Sequence, residues 1–518
     1  MTNKLPLGIQ SFKELREENY LYIDKTEDIY RLIESGKYYF ISRPRRFGKS
    51  LLVSTLEELF KGNKELFKGL NIYNKIEWKE HPVIKIDFSS IDRNNSDRLR
   101  KSLNSFLNDI AYEYGLTLER DYLGSRFAEL IKKLYQQTKS KVVVLIDEYD
   151  KPIIDHITDI DTAEENKEVL KSFFEVLKPS DEYLKFVFLT GVSKFSKVSI
   201  FSGLNNLQDI TIDHRFSTIM GCTYQELLKY FNEEIEQLQQ VSDISRKGLL
   251  EEIRYWYNGY SWDGEKRVYN PFSIINLFSS RRFNNYWFTT GTPSFLIDLI
   301  KESNYDVSQL EEITVSGYVF DSYELGNIDI NSLLFQTGYL TIKETKSTKR
   351  RNRVKLYKLA TPNFEVKESL LNYLLANYLQ QNLAKIQPLY MEMLEYLEEG
   401  KMEKFINIIK SLFAGIPYNL QLKKESYYHS IFYMILSLLG ADINLEVMTD
   451  KGRIDGVLEL ENKMYIIEFK LDDDQEALDQ IKDRSYYEKY LNYNQEIYLL
   501  GIGGFIDKDI KYQIERFK

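Results

Sequence analysis

An apolar segment, Tyr38-Tyr-Phe-Ile-Ser42, runs into Arg43-Pro44-Arg45-Arg46-Phe47-Gly48-Lys49-Ser50 and then into the apolar stretch Leu51-Leu-Val-Ser-Thr-Leu-Glu-Glu-Leu-Phe60. A strand, a loop ending in Gly-Lys-Ser and a helix in direct succession leave little choice of local architecture. The helix start presents backbone N–H groups that favour an anion such as phosphate. Later segments fix the surroundings. Val83-Ile-Lys-Ile-Asp-Phe88 reads as a second buried strand, and Val142-Val-Val-Leu-Ile-Asp147-Glu148 as a third that ends in two acids. Strands apolar throughout belong to a parallel sheet covered on both faces, with sites at the carboxyl edge, where Asp147 and Glu148 fall. Lys185-Phe-Val-Phe-Leu-Thr190-Gly191 is a fourth strand, ending in a polar residue suited to sensing a γ-phosphate. Alternating strands and helices predict a doubly wound α/β domain over residues 1–220.

These read as the parts of a P-loop NTPase and resemble its AAA/ASCE-like kind. Gly48 and the backbone around it would cradle phosphate, Lys49 would reach the β- and γ-phosphates, and the Ser50 hydroxyl would bind Mg²⁺. Asp147 would hold Mg²⁺ through water and Glu148 would polarise the attacking water. The standard loop is departed from at its first glycine position, where Arg43 stands. Arg45 and Arg46 flank the phosphates in sequence, and either serves a phosphate role or is simply solvated. An arginine finger is expected from Arg215 in Asp213-His-Arg-Phe216, or from Arg45 or Arg46 acting in a neighbouring subunit of a homo-oligomer. For Arg215 the surface ion pair is the favoured reading.

A second constellation lies near the C-terminus. Gly452-Arg-Ile-Asp455-Gly-Val-Leu-Glu-Leu460 and Lys463-Met-Tyr-Ile-Ile-Glu468-Phe-Lys470 read as two arms of a hairpin around Glu461-Asn462. With that two-residue loop, Leu460 faces Lys463 and Asp455 faces Glu468. Facing residues have Cβ atoms roughly 5 Å apart on one side of a sheet, and Lys470 shares that side. Leu445-Glu446-Val-Met-Thr449 extends the pattern through a turn at Asp450-Lys451, placing Glu446 opposite Asp455 unless a bulge at Gly452 shifts it. Like charges side by side repel. A hard cation reverses the sign of that argument: Mg²⁺ takes oxygen ligands, typically one or two carboxylates with water and substrate phosphate. Lys470 would then orient the attacking water or steady developing charge.

Between these ends, residues 221–380 predict a helical and winged-helix-like region. Trp256, Trp262 and Trp287 read as core. Asn331–Leu340, Thr341–Glu344, a basic tip with Lys349, Arg350, Arg351 and Arg353, and Val354–Ala360 follow the order helix, strand, loop, strand of a wing. Such a tip neutralises nucleic-acid phosphates without reading sequence, or is a solvated hairpin end. Residues 381–518 predict a helical linker and the hairpin domain. Net charge is −9, so nucleic acid would be met by local basic patches, not by a basic coat. One cysteine, Cys222, excludes an internal disulfide framework and a cysteine-based zinc site. No apolar run spans a bilayer and no leader is evident, which predicts a cytoplasmic protein with no membrane partner.

Asp455 followed by Glu468-x-Lys470, with the helix-like run Glu425–Leu439 before and Ala477-Leu-Asp-Gln480-Ile-Lys after, resembles the PD-(D/E)XK nuclease superfamily. The resemblance implies that Asp455 and Glu468 bind metal, that Lys470 is catalytic, that Glu425 is the first-helix acid and that Gln480 is the glutamine of a trailing helix. His429, one helical turn from Glu425, reads as a satisfied helix histidine or a site neighbour. Tyr22-Ile-Asp-Lys-Thr26, Arg43–Ser50, Asn258-Gly-Tyr260 and Tyr269-Asn-Pro-Phe272 resemble the bacterial AAA-ATPase-like family, whose members carry a C-terminal PD-(D/E)XK domain. Arg43 is similar to that family's own form of the loop.

The expected function is an ATP-controlled, Mg²⁺-dependent nuclease acting on nucleic acid, DNA first, with Mn²⁺ as a substitute at the carboxylate site. The alternative is a nucleotide-switched DNA-binding regulator whose nuclease-like domain is inactive. A third is an ATPase with a protein-interaction tail, which the basic tip distinguishes from the other two.

Overall fold

The computed structural model describes residues 4–518 except 195–200, 202, 289–293, 304, 321–328, 348–354, 417–424, 441, 450–451 and 506–508; for 294–295, 302, 347, 425–426, 442–443, 445–449 and 452–453 only the backbone is described. Five strands form the N-terminal sheet: β1 Tyr38–Ser42, β2 Val83–Asp87, β3 Val142–Asp147, β4 Leu184–Gly191 and β5 Gln208–Asp209. Their order is β2-β3-β4-β1-β5, and all pair in parallel. Tyr39, Ile41, Val143, Leu145, Phe186 and Phe188 pack with Leu52, Val53, Leu56, Leu59 and Phe60 of the helix Lys49–Phe60. Phe40, on the opposite face, meets Tyr149 and Phe201. Both faces are therefore covered, which is why these strands read as unbroken apolar runs. Each such side chain contributes roughly 2 kcal/mol on burial, and together they hold the carboxyl edge of the sheet rigid.

The chain divides into two compact units, Met1–Thr290 with Ile313–Val366, and Gly291–Glu312 with Lys367–Lys518. The first continues past its sheet into the helices Tyr224–Tyr230, Asn232–Gln240, Arg246–Tyr257 and Pro271–Ser280, which share the core of Leu227, Phe231, Ile235, Leu249, Ile253 and Leu277. β6 Cys222–Thr223 pairs with β7 Val268–Tyr269 beside them, and Cys222 is a buried free thiol. Trp262 and Trp287 are buried, as core residues should be. The helix Ile330–Thr337 leads into β9 Thr341–Ser347 and β10 Lys355–Ala360, and β8 Ile313–Ser316 completes an antiparallel sheet in the order β8-β10-β9. The helix, strand and strand expected of a winged helix follow in that order among the described residues; the expected tip between β9 and β10, with Lys349, Arg350, Arg351 and Arg353, lies outside them.

One buried carboxyl in this unit makes stability depend on pH. Glu365 is 0% exposed; burial pushes its pKa up to about 7, against backbone and Ser273 hydrogen bonds that pull it down. The folded state therefore holds a proton that the unfolded state releases near pH 4.5. The contribution is full below about pH 4.5 and is lost as pH rises through about 7; over that window it amounts to roughly 3 kcal/mol. Urea denaturation of the parent and of Glu365→Gln between pH 5 and 8 is expected to show the variant gaining on the parent as pH rises, since the amide cannot charge.

The second unit holds the sheet β11-β12-β13-β14-β15: β11 Asp442–Thr449, β12 Gly452–Glu459, β13 Lys463–Phe469, β14 Glu496–Gly503 and β15 Lys511–Arg516. Only the β13–β14 pairing is parallel, with the helix Asp474–Asp483 as its crossover. Ile454, Val457, Met464, Ile466, Ile497 and Leu499 pack with Leu478 and Ile481 of that helix. Among the described residues no helix is long and apolar enough to cross a membrane.

Candidate functional site

The loop between β1 and the helix Lys49–Phe60 bends through two left-handed residues, Arg46 at φ 65° and Gly48 at φ 89°. Gly48 is the N-cap and brings no side-chain hydrogen bond to the helix start. No atom lies within 4 Å of where a Cβ on Gly48 would stand, so its conformation, not crowding, calls for glycine. Alternating handedness of this kind makes a nest of N–H groups for an anion. Lys49 is buried, and its amine donates to the carbonyls of Arg43 and Pro44 at 3.0 Å each. Burial lowers its pKa, while Asp147, Glu148 and Asp150 oppose that fall. The lysine and the β3 acids thus share one site, although β4 separates β3 from β1. Ser50 sits half-buried in the first turn.

At the end of β3, Asp147 accepts a hydrogen bond from Thr190 Oγ1 of β4 and, at 3.1 Å, from the Glu148 backbone N–H. Glu148 stands at φ 52°, and burial raises its carboxyl pKa against the pull of Lys49. A carboxylate at the end of a strand whose pKa burial has raised is suited to accept a proton from water. Asp150 went unnoticed in the sequence. Its Oδ2 accepts hydrogen bonds from the backbone N–H groups of Val192 at 3.0 Å and Ser193 at 2.6 Å, and from the Ser193 hydroxyl at 2.8 Å. It ties the β3 and β4 ends together. Its only sequence signal, an acid three residues after Asp147, is also that of a helix N-cap.

Arg43 does not crowd the loop, because its side chain leaves it. The guanidinium is 0% exposed, donates to the carbonyls of Ser42, Thr211 and Phe216 at 2.9, 2.7 and 3.4 Å, and lies 3.9 Å from the Trp262 ring centroid. Burial drops its pKa to about 9. An arginine in the first glycine position is therefore a strut. Arg43→Ala is expected to cost about 3 kcal/mol in chemical denaturation, since it strands acceptors and removes a desolvated stack. Arg43→Lys should recover less than half, because an ammonium lacks the planar fork.

The other arginines have separate environments. Arg46 is exposed over the Phe272 ring at 4.9 Å, and the Arg45 carbonyl accepts a hydrogen bond from the Trp287 indole at 3.0 Å. Arg215 is half exposed and held by Asp213 at 2.6 Å, the surface ion pair that its sequence context also allowed.

In the second unit the hairpin has the expected register. β12 and β13 pair from Glu459↔Met464 to Gly456↔Ile467, and Leu460 N–H donates to the Lys463 carbonyl at 2.8 Å. One step further, side chains replace the backbone ladder. Asp455 N–H donates to Glu468 Oε2 at 3.4 Å, and Phe469 N–H donates to Asp455 Oδ2 at 3.1 Å. The two carboxylates are thus held against each other's strand. Glu468 is 2% exposed. Gln480 Nε2, from the crossover helix, donates to Glu468 Oε1, and Tyr486 is hydrogen-bonded to Gln480. His429 Nε2 lies 3.9 Å from Asp455 Oδ1 and its ring 4.8 Å from that of Phe469. His429 is therefore a site neighbour, which helix spacing alone did not decide. Lys470 follows half-buried just past β13, its N–H donating to the Ile502 carbonyl at 2.9 Å.

Two further acids are placed by backbone alone. Glu425 opens the helix Glu425–Leu438. Leu445↔Gly456 and Val447↔Ile454 bracket positions 446 and 455 in one unbroken register, so Glu446 stands opposite Asp455 with no shift at Gly452. The side chains of Glu425 and Glu446 lie outside the described residues. Among the described residues no group of three or more His, Cys, Asp and Glu is arranged to hold a metal ion. Asp455 and Glu468 remain a pair of oxygen donors on adjacent strands, the ligand type and number that Mg²⁺ takes when water and phosphate complete its shell.

Fold and site define a P-loop nucleotide-binding unit joined to a nuclease-fold unit. Residues 6–201 match the family model described as "Predicted AAA-ATPase", and residues 423–511 match that of the PD-(D/E)XK nuclease superfamily. A protein of Azotobacter chroococcum mcd 1, described as "Uncharacterized protein in vnfD 5'region", is 40% identical over 509 residues that cover 96% of each chain. The chain belongs to the AAA-ATPase-like family whose members carry a C-terminal PD-(D/E)XK nuclease superfamily domain.

Proposed function

We propose that this protein is an ATP-regulated, metal-dependent nuclease that hydrolyses phosphodiester bonds in nucleic acid, DNA being the first substrate to test. The observation that carries the proposal is the facing pair Asp455 and Glu468, locked across two strands and backed by Gln480. A buried pair of like charges is costly in a sheet and is put to use where a divalent cation sits between them. Asp455 and Glu468 would hold Mg²⁺ or Mn²⁺, which supplies charge for the phosphate oxygens and an acidified water. Lys470 steadies charge that develops on the scissile phosphate, and Gln480 keeps Glu468 aimed. In the first unit, Lys49, Ser50 and the Gly48 backbone hold ATP with Arg45 and Arg46 nearby, Asp147 orients the associated cation, and Glu148 takes the proton from water. A homo-oligomer able to present an arginine in trans, and DNA contacts from the 349–353 tip, belong to the same reading. Purified protein with Mg²⁺ or Mn²⁺, with and without ATP, is expected to cleave at least one of single-stranded DNA, double-stranded DNA and RNA. All of them remaining intact under every condition would sink the nuclease half.

A further inference from the structure

The loop that would hold the nucleotide is tied by its backbone to a part of the chain some 240 residues away, as the separation of 242 positions between Arg45 and Trp287 records. The Trp287 indole N–H donates to the Arg45 carbonyl at 3.0 Å. The Trp287 backbone N–H donates to Glu365 Oε1 at 2.7 Å. Glu365 Oε2 accepts from the Ser273 hydroxyl at 2.8 Å. Trp287 is 6% and Glu365 0% exposed, so neither link exchanges readily with water. Glu365 lies in the first turn of the helix Phe364–Leu379, whose turns from Lys367 onward belong to the second unit.

A phosphate arriving at Lys49 enters a hydrogen-bond set that the loop already uses. Lys49 spends two of the three N–H donors of its amine on the carbonyls of Arg43 and Pro44, so a phosphate oxygen that takes the amine competes with those carbonyls for it. Pro44 and Arg45 are adjacent, so the carbonyl that would share Lys49 with phosphate is next to the one that Trp287 holds. Packed aromatic and hydrogen-bonded elements respond to such a change by shifting between discrete arrangements. We infer that Trp287 and Glu365 are positioning residues of the nucleotide site, a two-link relay through which occupancy of the P-loop is felt at the first turn of the helix Phe364–Leu379. The inference rests on the nucleotide-site reading above, and it gives ATP a route by which to regulate the rest of the chain. The Asn270 side chain, which accepts from the Phe272 and Ser273 N–H groups, fixes the helix that carries Ser273. This gives the Tyr269-Asn-Pro-Phe272 motif a physical task.

Hydrogen exchange on the full chain, with Mg²⁺·ATP or ADP added, tests the relay, with nucleotide affinity measured separately by calorimetry. In the parent, saturating nucleotide should change exchange at residues 364–368 by about fivefold, the equivalent of one hydrogen bond made or lost. Trp287→Phe keeps an aromatic ring but cuts the link to the loop; Glu365→Ala cuts the link to the helix. Both should abolish the nucleotide-dependent change, whereas Glu365→Gln, which keeps an acceptor for the Trp287 N–H, should retain it. A merely structural role would lower the thermal midpoint of the variants yet leave the nucleotide-induced change in place. The relay is overturned if that change persists in Trp287→Phe and Glu365→Ala, or if the parent binds nucleotide with no change at 364–368. A parent that binds no nucleotide overturns the relay together with the nucleotide-site reading, and the calorimetry tells that outcome from the others.

Discussion

Asp455→Asn and Glu468→Gln are each expected to lower metal-dependent cleavage by more than about 100-fold, because losing even an outer-shell partner of a metal ligand costs 10- to 100-fold. The amides are chosen for their shape. Asp455 and Glu468 each accept a backbone N–H from the facing strand, and an amide oxygen still accepts it. The hairpin should therefore stand, and denaturation midpoints should move little. What the amides remove is the negative charge that a hard cation requires. The readout is the cleavage rate of a labelled oligonucleotide at fixed Mg²⁺ or Mn²⁺. Parent-like rates in both variants would mean that the chemistry lies elsewhere. Gln480→Ala should fall between, since it frees Glu468 without discharging it.

The second large effect is on nucleotide. Lys49→Ala is expected to weaken ATP binding by roughly 30- to 150-fold, the worth of a charge-assisted hydrogen bond of about 2–3 kcal/mol. Stability should change little, because burial already disfavours the charged amine, lowering its pKa, and its present partners are two backbone carbonyls. Glu148→Gln separates binding from turnover. It should keep affinity and slow hydrolysis on the order of 100-fold or more, the usual loss of a general base. ATP binding by calorimetry and phosphate release together distinguish the two variants. Equal affinity in parent and Lys49→Ala would remove the loop from any role in holding phosphate.

The fold was legible wherever apolar pattern and short turns decide it. β1, β2, β3 and β4 are buried on both faces and announce themselves as apolar runs, and the two-residue loop at Glu461-Asn462 fixes a register that places Asp455 beside Glu468. What the sequence hid were consequences of long-range packing. Nothing local says that Arg43 turns inward to three carbonyls and Trp262. Nothing local says that Asp150 bridges to Ser193, or that Trp287 reaches the Arg45 carbonyl across 242 positions. His429 shows the same limit: helical spacing puts it on the face of Glu425, but only the approach of helix and strand brings it to 3.9 Å from Asp455. Periodicity reads faces, and contacts between elements far apart in the chain are not periodic.

The central claim is that Asp455 and Glu468 form a hard-cation site. It is tested most directly by titrating Mn²⁺, without nucleotide, into Asp147→Asn protein, which removes the carboxylate assigned to the loop site's cation, and into the same protein carrying Asp455→Ala and Glu468→Ala, each with and without a single-stranded oligonucleotide. Binding present in the first and absent from the second is the result expected. Identical binding in both, or none in either even with the oligonucleotide present, would contradict it.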